Sequence, residues 1–219
     1  ARSRLPSPRS IPLTSDTRGR PSRNERPSRN DWNATPAAAP SKKFEQGDDV
    51  VHERLEAKSV AAVEVDGVTF GDLGLGSNIV DTLVGMGAAT PFPIQAASIP
   101  AVLAGRDVLA RGRTGSGKTI AFSAPLVERV LQSQAGKRRE FGRSPRAIIL
   151  APTRELALQI DRTIQPIARS VGLFTTQIYG GVPQGRQVGA LKKGVDIVIG
   201  TPGRVEDLIN QGKLDLSDC

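Results

Sequence analysis

From residue 68 to the end of the chain, short apolar runs alternate with longer stretches in which apolar residues recur every three or four positions. A short apolar run is typical of a strand buried on both faces, whereas the longer spacing is typical of a helix with one buried face. The pattern predicts strands over residues 107–111, 146–152, 174–179 and 196–200, and helices over residues 77–86, 93–103, 120–132, 154–169, 186–193 and 204–210.

Strands that alternate with helices along a chain favour a parallel sheet with helices on both faces. Such sheets place their ligand loops beyond the carboxyl ends of the strands. We therefore predict an α/β fold for a domain that spans residues 68–219.

Residues 1–43 differ in composition, being rich in Arg, Ser, Pro and Asn. Such a segment buries too little apolar surface to offset the entropy of ordering, so we predict a disordered tail, followed by a charged linker over residues 44–67. The tail carries ten Lys and Arg against three Asp and Glu, whereas the rest of the chain carries twenty against nineteen. The basic tail either contacts RNA phosphates without reading sequence or serves only as a solvated linker.

Several classes of protein are excluded or disfavoured by composition. A single cysteine, Cys219, excludes an internal disulfide and a cysteine-rich metal site. The lone His52 precedes the predicted domain, where a spacer residue is expected rather than a ligand. No apolar run reaches the roughly 18 residues needed to cross a membrane, and the N-terminus lacks the apolar core of a secretory signal. A cytoplasmic location is expected.

Residues 112–119 read Gly-Arg-Thr-Gly-Ser-Gly-Lys-Thr and fit the phosphate-binding pattern G-x-x-x-x-G-K-[ST]. Glycines let backbone N–H groups crowd around phosphate oxygens, because no Cβ stands in the way. Lys118 can reach the β- and γ-phosphates, and the Thr119 hydroxyl can bind Mg²⁺, so we expect both residues to serve catalysis. The expected nucleotide contacts in this loop are Arg113, Thr114, Gly115, Ser116, Gly117, Lys118 and Thr119.

Six phrases together resemble the DEAD-box RNA helicases. In chain order they are Phe70, Gly87–Gln95, Ala110–Thr119, Pro152–Ala157, Gly180–Gly181 and Thr201–Arg204. Each phrase alone is modest, but their order and spacing are similar to those of the family, and most similar to a bacterial member with a basic extension. The resemblance covers residues 68–219 and implies a RecA-like P-loop NTPase domain, ATP and Mg²⁺ as cofactors, and RNA as the partner.

The resemblance also implies an adenine site. In the family an upstream aromatic ring stacks on adenine and a glutamine reads its edge, and Phe70 and Gln95 occupy those positions. A glutamine amide offers one donor and one acceptor together, which match N6 and N7 of adenine but not the oxygen of guanine. Without the neighbouring phrases, the two residues would be read as a core phenylalanine and a surface glutamine.

Three segments that each follow a predicted strand resemble the parts of the family that contact the RNA backbone. Such contacts reach sugar and phosphate and carry little base specificity. Arg204 either contacts RNA or forms a salt bridge to Glu206 or Asp207, and Glu155 is expected to orient or cap its neighbours. The expected RNA-binding residues are Pro152, Thr153, Arg154, Gly180, Gly181, Thr201, Pro202, Gly203 and Arg204.

Two departures from the family matter. Phe92 stands where the family commonly has Thr or Ser, so a hydroxyl that could cap a helix is lost. The sequence contains no Asp-Glu dipeptide and hence no Asp-Glu-Ala-Asp segment, which in the family holds Mg²⁺ and the attacking water. We therefore expect an N-terminal portion, with a RecA-like domain that is incomplete at its C-terminus.

Two functions remain open at this point. The first is an ATP-dependent RNA helicase, in which RNA-stimulated ATP hydrolysis is coupled to local duplex unwinding in the full-length protein. The second is a catalytically incomplete fragment that binds ATP and RNA without hydrolysis. An unrelated P-loop enzyme, such as a small-molecule kinase, is disfavoured by Phe70, Gln95 and the RNA-type phrases.

Overall fold

A computed structural model describes residues 65–136 and 140–219 of the chain. The tail predicted for residues 1–43 and all of the linker predicted for residues 44–67 except its last three positions lie outside the described residues. In chain order, the described elements are α1 (Ser77–Gly85), α2 (Pro93–Leu103), α3 (Lys118–Ser133), β1 (Ala147–Leu150), α4 (Arg154–Ser170), β2 (Thr175–Ile178), α5 (Gly185–Lys193), β3 (Ile197–Gly200) and α6 (Pro202–Asn210).

The three strands form one parallel sheet in the order β1-β3-β2. Leu150 of β1 and Ile178 of β2 both pair with Gly200 at the end of β3, so the carboxyl ends of the strands lie at one level. The predicted parallel sheet is confirmed, and the segments that follow the three strands share one edge of it.

Helices cover both faces of this sheet, as predicted. Ile197 and Ile199 of β3 pack into a core with residues of α1, α2, α3 and α4. Val198, which points to the opposite face, packs with residues of α5 and α6. The two cores follow from the alternation of side chains along a strand, and all four residues of β3 are buried.

The prediction of a strand over residues 107–111 is wrong. These residues have no regular secondary structure, and the side chain of Leu109 is 88% exposed. A strand is defined by backbone hydrogen bonds to a neighbouring strand, and no described strand pairs with this segment. Apolar residues predict that a segment is buried. They do not provide the neighbouring strand to which its backbone must hydrogen-bond.

A buried carboxylate joins the amino ends of the strands. Asp196, which precedes β3, is fully buried and accepts hydrogen bonds from Arg143 Nε and Nη2, from Gln134 Nε2 and from the Phe174 N–H, each at 2.8 Å. Burial opposes its ionisation, but the hydrogen bonds outweigh burial and lower the pKa of Asp196 below its ordinary value. This network ties the connector before β1 to the edge opposite the candidate site.

Candidate nucleotide and nucleic-acid site

The predicted phosphate loop ends where α3 begins. Gly117 lies just before the helix with φ +80°, and Gly115 has φ +81°, a region of backbone conformation that favours glycine. A Cβ on Gly117 would lie 2.3 Å from Gln95 Nε2, so a side chain at this position clashes with Gln95. The loop therefore requires glycine here for both conformation and space.

Two side chains of the loop fit a phosphate group. Lys118 Nζ donates to the carbonyl oxygens of Gly112 and Arg113, at 2.7 and 2.6 Å. Ser116 Oγ is buried and has no hydrogen-bond partner among the described residues. A phosphate oxygen would satisfy Ser116 Oγ, and it would give the lysine ammonium an anionic partner in place of two neutral carbonyls.

The placement of Thr119 fits the role expected of it. It is the second residue of α3, immediately after Lys118, and it is partly exposed. No group of three or more His, Cys, Asp or Glu side chains that could hold a metal occurs in the described residues. Binding of Mg²⁺ by Thr119 together with phosphate oxygens stays a prediction.

Gln95 links the start of α2 to the phosphate loop. Its side chain is 1% exposed, with Oε1 accepting from the Phe92 N–H at 2.8 Å and Nε2 donating to the Gly117 carbonyl at 3.1 Å. Phe92 is the N-cap residue of α2, and Gln95 accepts from its N–H as the third helical residue of a capping box does, although Phe92 has no hydroxyl to accept from the helix in return. Phe92 itself is 52% exposed.

Phe70 lies inside the protein rather than at an open surface. Its ring is fully buried in the core that contains Leu75, Ile79 and Ile99. Neither Phe70 nor Gln95 presents a free face to a ligand in this arrangement, so contact with adenine would require both to move. The adenine-binding roles of these two residues stay predictions.

The segment that follows β1 is exposed at the shared edge of the sheet. Pro152, Thr153 and Arg154 are all exposed. Thr153 caps α4, with its hydroxyl oxygen accepting from the Leu156 N–H at 3.2 Å, and its hydroxyl hydrogen remains available for a phosphate oxygen. Glu155 lies in the first turn of α4, where its carboxylate interacts favourably with the helix dipole, while the capping hydrogen bond is made by Thr153.

The segment that follows β2 presents open backbone. Gly180 and Gly181 are exposed, and a Cβ built on either residue meets no atom of the described residues within 4 Å. The guanidinium of Arg154 lies over the ring of Tyr179, with 4.8 Å between Cζ and the ring centroid. A cation–π contact thus joins the segment after β1 to the segment after β2.

The segment that follows β3 contacts the same loop. Arg204 Nη1 and Nη2 both donate to the Val182 carbonyl at 3.3 Å, and Nε lies 3.7 Å from Asp207 Oδ2. Of the two alternatives for Arg204, the structure contains a salt bridge to Asp207, and the guanidinium also bonds the backbone beyond Gly181; an RNA contact stays a prediction. Thr201 donates its N–H to the Ile178 carbonyl at 2.9 Å.

Helix α6 begins two residues earlier than the sequence predicts. Pro202 and Gly203, both exposed, lie in its first turn rather than in a loop before it. A proline suits the first helical position, because its fixed φ is already helical and its missing N–H would have no partner there. The expected RNA contacts at these two positions therefore lie at a helix N-terminus.

Two features beside this edge were missed by sequence reasoning. Gln187 of α5 is buried and bonds the loop after β2, although its place in a polar helical pattern marks it as a surface residue. A groove of about 860 Å³ lies beside the loop, with Asp161, Gln177 and Arg186 among its lining residues. Asp161 accepts hydrogen bonds from Thr175 Oγ1, at 2.9 Å, and from Gln177 Nε2.

Among the described residues, no helix is long and apolar enough to span a bilayer.

Comparison with protein-family models matches residues 92–219, more than half of the chain, to the family described as DEAD/DEAH box helicase. The chain is 46% identical over 146 residues to the DEAD-box ATP-dependent RNA helicase 3A, chloroplastic, of Zea mays. It is 42% identical over 153 residues to the DEAD-box ATP-dependent RNA helicase 9, mitochondrial, of Arabidopsis thaliana. The first alignment covers 67% of this chain and 19% of the maize protein, and the second covers 70% and 24%.

Among solved structures, the fold is similar to the crystal structure of a DEAD box protein from the hyperthermophile Methanococcus jannaschii. The TM-score is 0.60 at 39% sequence identity, over 68% of this chain and 39% of the archaeal chain. This similarity agrees with the predicted RecA-like fold. The chain spans about a fifth to a quarter of the length of the curated relatives named above, and because those relatives are plant proteins, they give no support to the expected bacterial origin.

Proposed function

The chain belongs to the DEAD/DEAH box helicase family, and on this basis we propose that it is the ATP- and RNA-binding part of an ATP-dependent RNA helicase. In the whole protein, RNA-stimulated ATP hydrolysis would be coupled to local unwinding of RNA duplexes. Three groups of residues support the proposal: the phosphate loop, the glutamine that adjoins it, and the three segments at the carboxyl edge of the sheet.

The single observation that carries the proposal is the meeting of three strand-end segments at one edge. Their exposed groups include two backbone glycines, the hydroxyl of Thr153 and the cation of Arg154, and the half-buried Thr201 adds a second hydroxyl. Backbone amides, hydroxyls and guanidinium groups are the usual partners of phosphate and sugar oxygens. An RNA strand held in this way would be recognised through its backbone, with little preference for sequence.

Binding of ATP is supported by the chemistry of residues 112–119. When bound, ATP with Mg²⁺ would supply the phosphoryl group whose transfer to water releases free energy. Lys118 would neutralise phosphate charge, and the N-terminus of α3 would favour the anion. Ser116 Oγ, which has no partner among the described residues, would donate to a phosphate oxygen. Thr119 is the residue of the loop that would hold Mg²⁺.

Hydrolysis needs groups beyond those of this chain. The 219 residues contain no Asp-Glu-Ala-Asp segment, whose acids hold Mg²⁺ and the water in the family that the chain resembles. RNA-stimulated turnover therefore belongs to a protein in which this chain is joined to such a segment. The chain alone is expected to bind ATP and RNA without RNA-stimulated hydrolysis.

The Lys118→Ala variant tests the proposal. We expect it to weaken the binding of a fluorescent ATP analogue about a hundredfold, since the variant loses a charged donor to phosphate. Binding is measured by fluorescence anisotropy with the 219-residue chain. In a protein that includes the Asp-Glu-Ala-Asp segment, the same variant should abolish RNA-stimulated release of phosphate.

Lys192→Ala provides the matched control, because Lys192 is an exposed lysine of α5 that is remote in sequence from the loop. It should leave the affinity for the ATP analogue unchanged. Thermal melting of both variants checks that each is folded, since Lys118 also bonds two loop carbonyls. Undiminished turnover in the Lys118→Ala helicase would refute the assignment.

The cellular location and the RNA substrate belong to this proposal only as expectations. A cytoplasmic location stays a prediction, and two of the relatives are named as chloroplastic and mitochondrial proteins. Fractionation of the source cells with an antibody against the chain would decide the location.

A further inference from the structure

The loop between β2 and α5 is held on both sides of its two exposed glycines. Before the glycines, the Tyr179 carbonyl accepts a hydrogen bond from Gln187 Nε2 at 3.0 Å. After them, the Val182 carbonyl accepts two hydrogen bonds from Arg204. The backbone of Gly180 and Gly181 thus lies between two anchored carbonyls.

Gln187 connects these two anchors. Its side-chain oxygen lies 3.5 Å from Arg204 Nη1, while its nitrogen holds the Tyr179 carbonyl. It lies in the first turn of α5 and is only 8% exposed. A buried amide uses its donor and its acceptor at once, which an apolar side chain of similar size cannot do.

The segment that follows β1 contacts this network through Tyr179. Arg154, which follows β1, lies over the Tyr179 ring, and Arg204 follows β3. A continuous chain of contacts therefore runs from Arg154 through Tyr179 and Gln187 to Arg204, and it links all three segments at the edge of the sheet.

We propose that Gln187 is a positioning residue for RNA binding, which holds the Gly180–Gly181 backbone in place relative to the segments that follow β1 and β3. The proposal rests on the proposed function, because it concerns the geometry of the same RNA-binding edge. Without Gln187, the Tyr179 carbonyl loses its donor, and the two exposed glycines have no side chains of their own to restrain them. The loop then samples many conformations, and ordering it on RNA binding costs conformational entropy.

The test compares Gln187→Leu with the matched variant Gln184→Leu. Gln184 is the residue just before α5, and its side chain donates to Gln211 Oε1 at 3.3 Å. Gln184 makes no side-chain hydrogen bond to the loop among those described. The affinity for a short labelled oligouridine RNA is measured by anisotropy, together with the affinity for the fluorescent ATP analogue and the melting temperature.

We expect Gln187→Leu to weaken RNA binding about tenfold, the effect of losing about one buried hydrogen bond. Affinity for the ATP analogue should be unchanged, and Gln184→Leu should match the wild-type chain in both measurements. Gln187→Glu keeps the acceptor for Arg204 but loses the donor to Tyr179, so it should recover only part of the RNA affinity.

A spectroscopic signal separates positioning from a general loss of stability. The chain contains one tyrosine and one tryptophan, so in a Trp32→Phe background Tyr179 is the sole strong emitter. Adding Gln187→Leu should change the tyrosine emission before RNA is added and reduce its response to RNA. Gln184→Leu in the same background should change neither.

The outcomes are distinct. RNA binding as tight in folded Gln187→Leu as in the wild type would overturn the inference alone, whereas a wild-type chain that binds no RNA would overturn the proposed function. A parallel loss of RNA binding, nucleotide binding and stability in Gln187→Leu would make the residue merely structural. If Gln187→Leu does not fold, Gln187→Glu decides, and unchanged RNA affinity with unchanged tyrosine emission in that variant would refute the inference.

Discussion

Two buried glutamines at the candidate site each form hydrogen bonds to two partners. Gln95 accepts from one backbone group and donates to another, and so holds the start of α2 against the phosphate loop. Gln187 bonds the Tyr179 carbonyl and Arg204. In both cases an amide that looks like a surface residue in the sequence is buried, because its two ends satisfy two partners from different segments.

Gly117 and Gly115 allow a prediction at this scale, because they have nearly the same φ but different surroundings. An alanine at either position adopts a left-handed conformation, at a cost of about 1 kcal/mol. At position 117 the added Cβ also meets Gln95 and the ring of Phe92, at 2.3 and 2.9 Å. Gly117→Ala should therefore lower the free energy of unfolding by about 2 kcal/mol more than Gly115→Ala does.

Urea denaturation of both variants measures this difference. Gly115→Ala is the matched control for backbone strain, since in the part of the chain that the structure describes its Cβ meets no atom within 4 Å. Gly117→Ala should also lose affinity for the ATP analogue, because the clash displaces the loop. Equal stability of the two variants would mean that Gln95 and Phe92 move aside without cost.

At the scale of elements, the two ends of the sheet differ in structure. The carboxyl ends carry exposed segments that suit a ligand, whereas the amino ends meet at the buried Asp196. The Asp196 backbone also pairs with both neighbours, accepting from Arg146 and donating to the Phe174 carbonyl, each at 2.9 Å. Strands of only four residues each are thereby held in register at the edge opposite the candidate site.

Arg143→Met tests this anchor. The variant leaves a fully buried carboxylate without its cation, so we expect the free energy of unfolding at neutral pH to fall by about 3 kcal/mol. The pH dependence has a definite sign. The pKa of Asp196 is lowered in the folded protein from its ordinary value of 3.8. The carboxylate therefore contributes to stability above pH 3.8, and this contribution is lost as pH falls through the folded pKa.

The difference in free energy of unfolding between the wild type and Arg143→Met should therefore become smaller below about pH 4. Denaturation with urea at several pH values measures it. Arg106→Met is the control, because Arg106 is an exposed arginine in the loop after α2, and it should change stability little at any pH. A gap that stays constant down to acid pH would show that the Arg143–Asp196 pair is not responsible.

At the scale of the whole molecule, the charges are unevenly distributed. Residues 1–43 hold seven of the eight net positive charges, whereas residues 44–219 are almost balanced. Residues 44–219, which include the proposed RNA-contacting edge, therefore offer little general attraction for a polyanion, and the tail would supply that attraction.

Deletion of residues 1–43 tests the contribution of the tail. We expect weaker RNA binding and a flatter plot of log affinity against log salt, by about 0.7 for each phosphate of single-stranded RNA that the tail neutralises. Anisotropy titrations at several salt concentrations measure the slope. Affinity for the ATP analogue serves as the control and should not change, and an unchanged salt slope would make the tail a linker only.

Most of the fold could be predicted from the sequence, because helix signals are local. The bounds of α2 agree with the prediction at both ends, and the other described helices agree within two residues at each end. The candidate phosphate loop and the three strand-end segments could be located in the sequence because each has a distinctive pattern of residues, and their binding roles stay predictions. The predicted roles of Phe70 and Gln95 stay predictions, since both are buried here.

The sequence by itself determined the six described helices, the strands β1, β2 and β3, the glycine-rich loop of residues 112–119 and the family resemblance, all of which depend on residues close together in the chain. Only the tertiary structure decided that residues 107–111 form no strand, that Asp196 anchors the sheet, and that Gln187 links the segments at the opposite edge. The physical reason is that each of these results depends on backbone or side-chain partners far away in sequence. A pattern of apolar and polar residues records the tendency to be buried, but it does not say which group will be the partner.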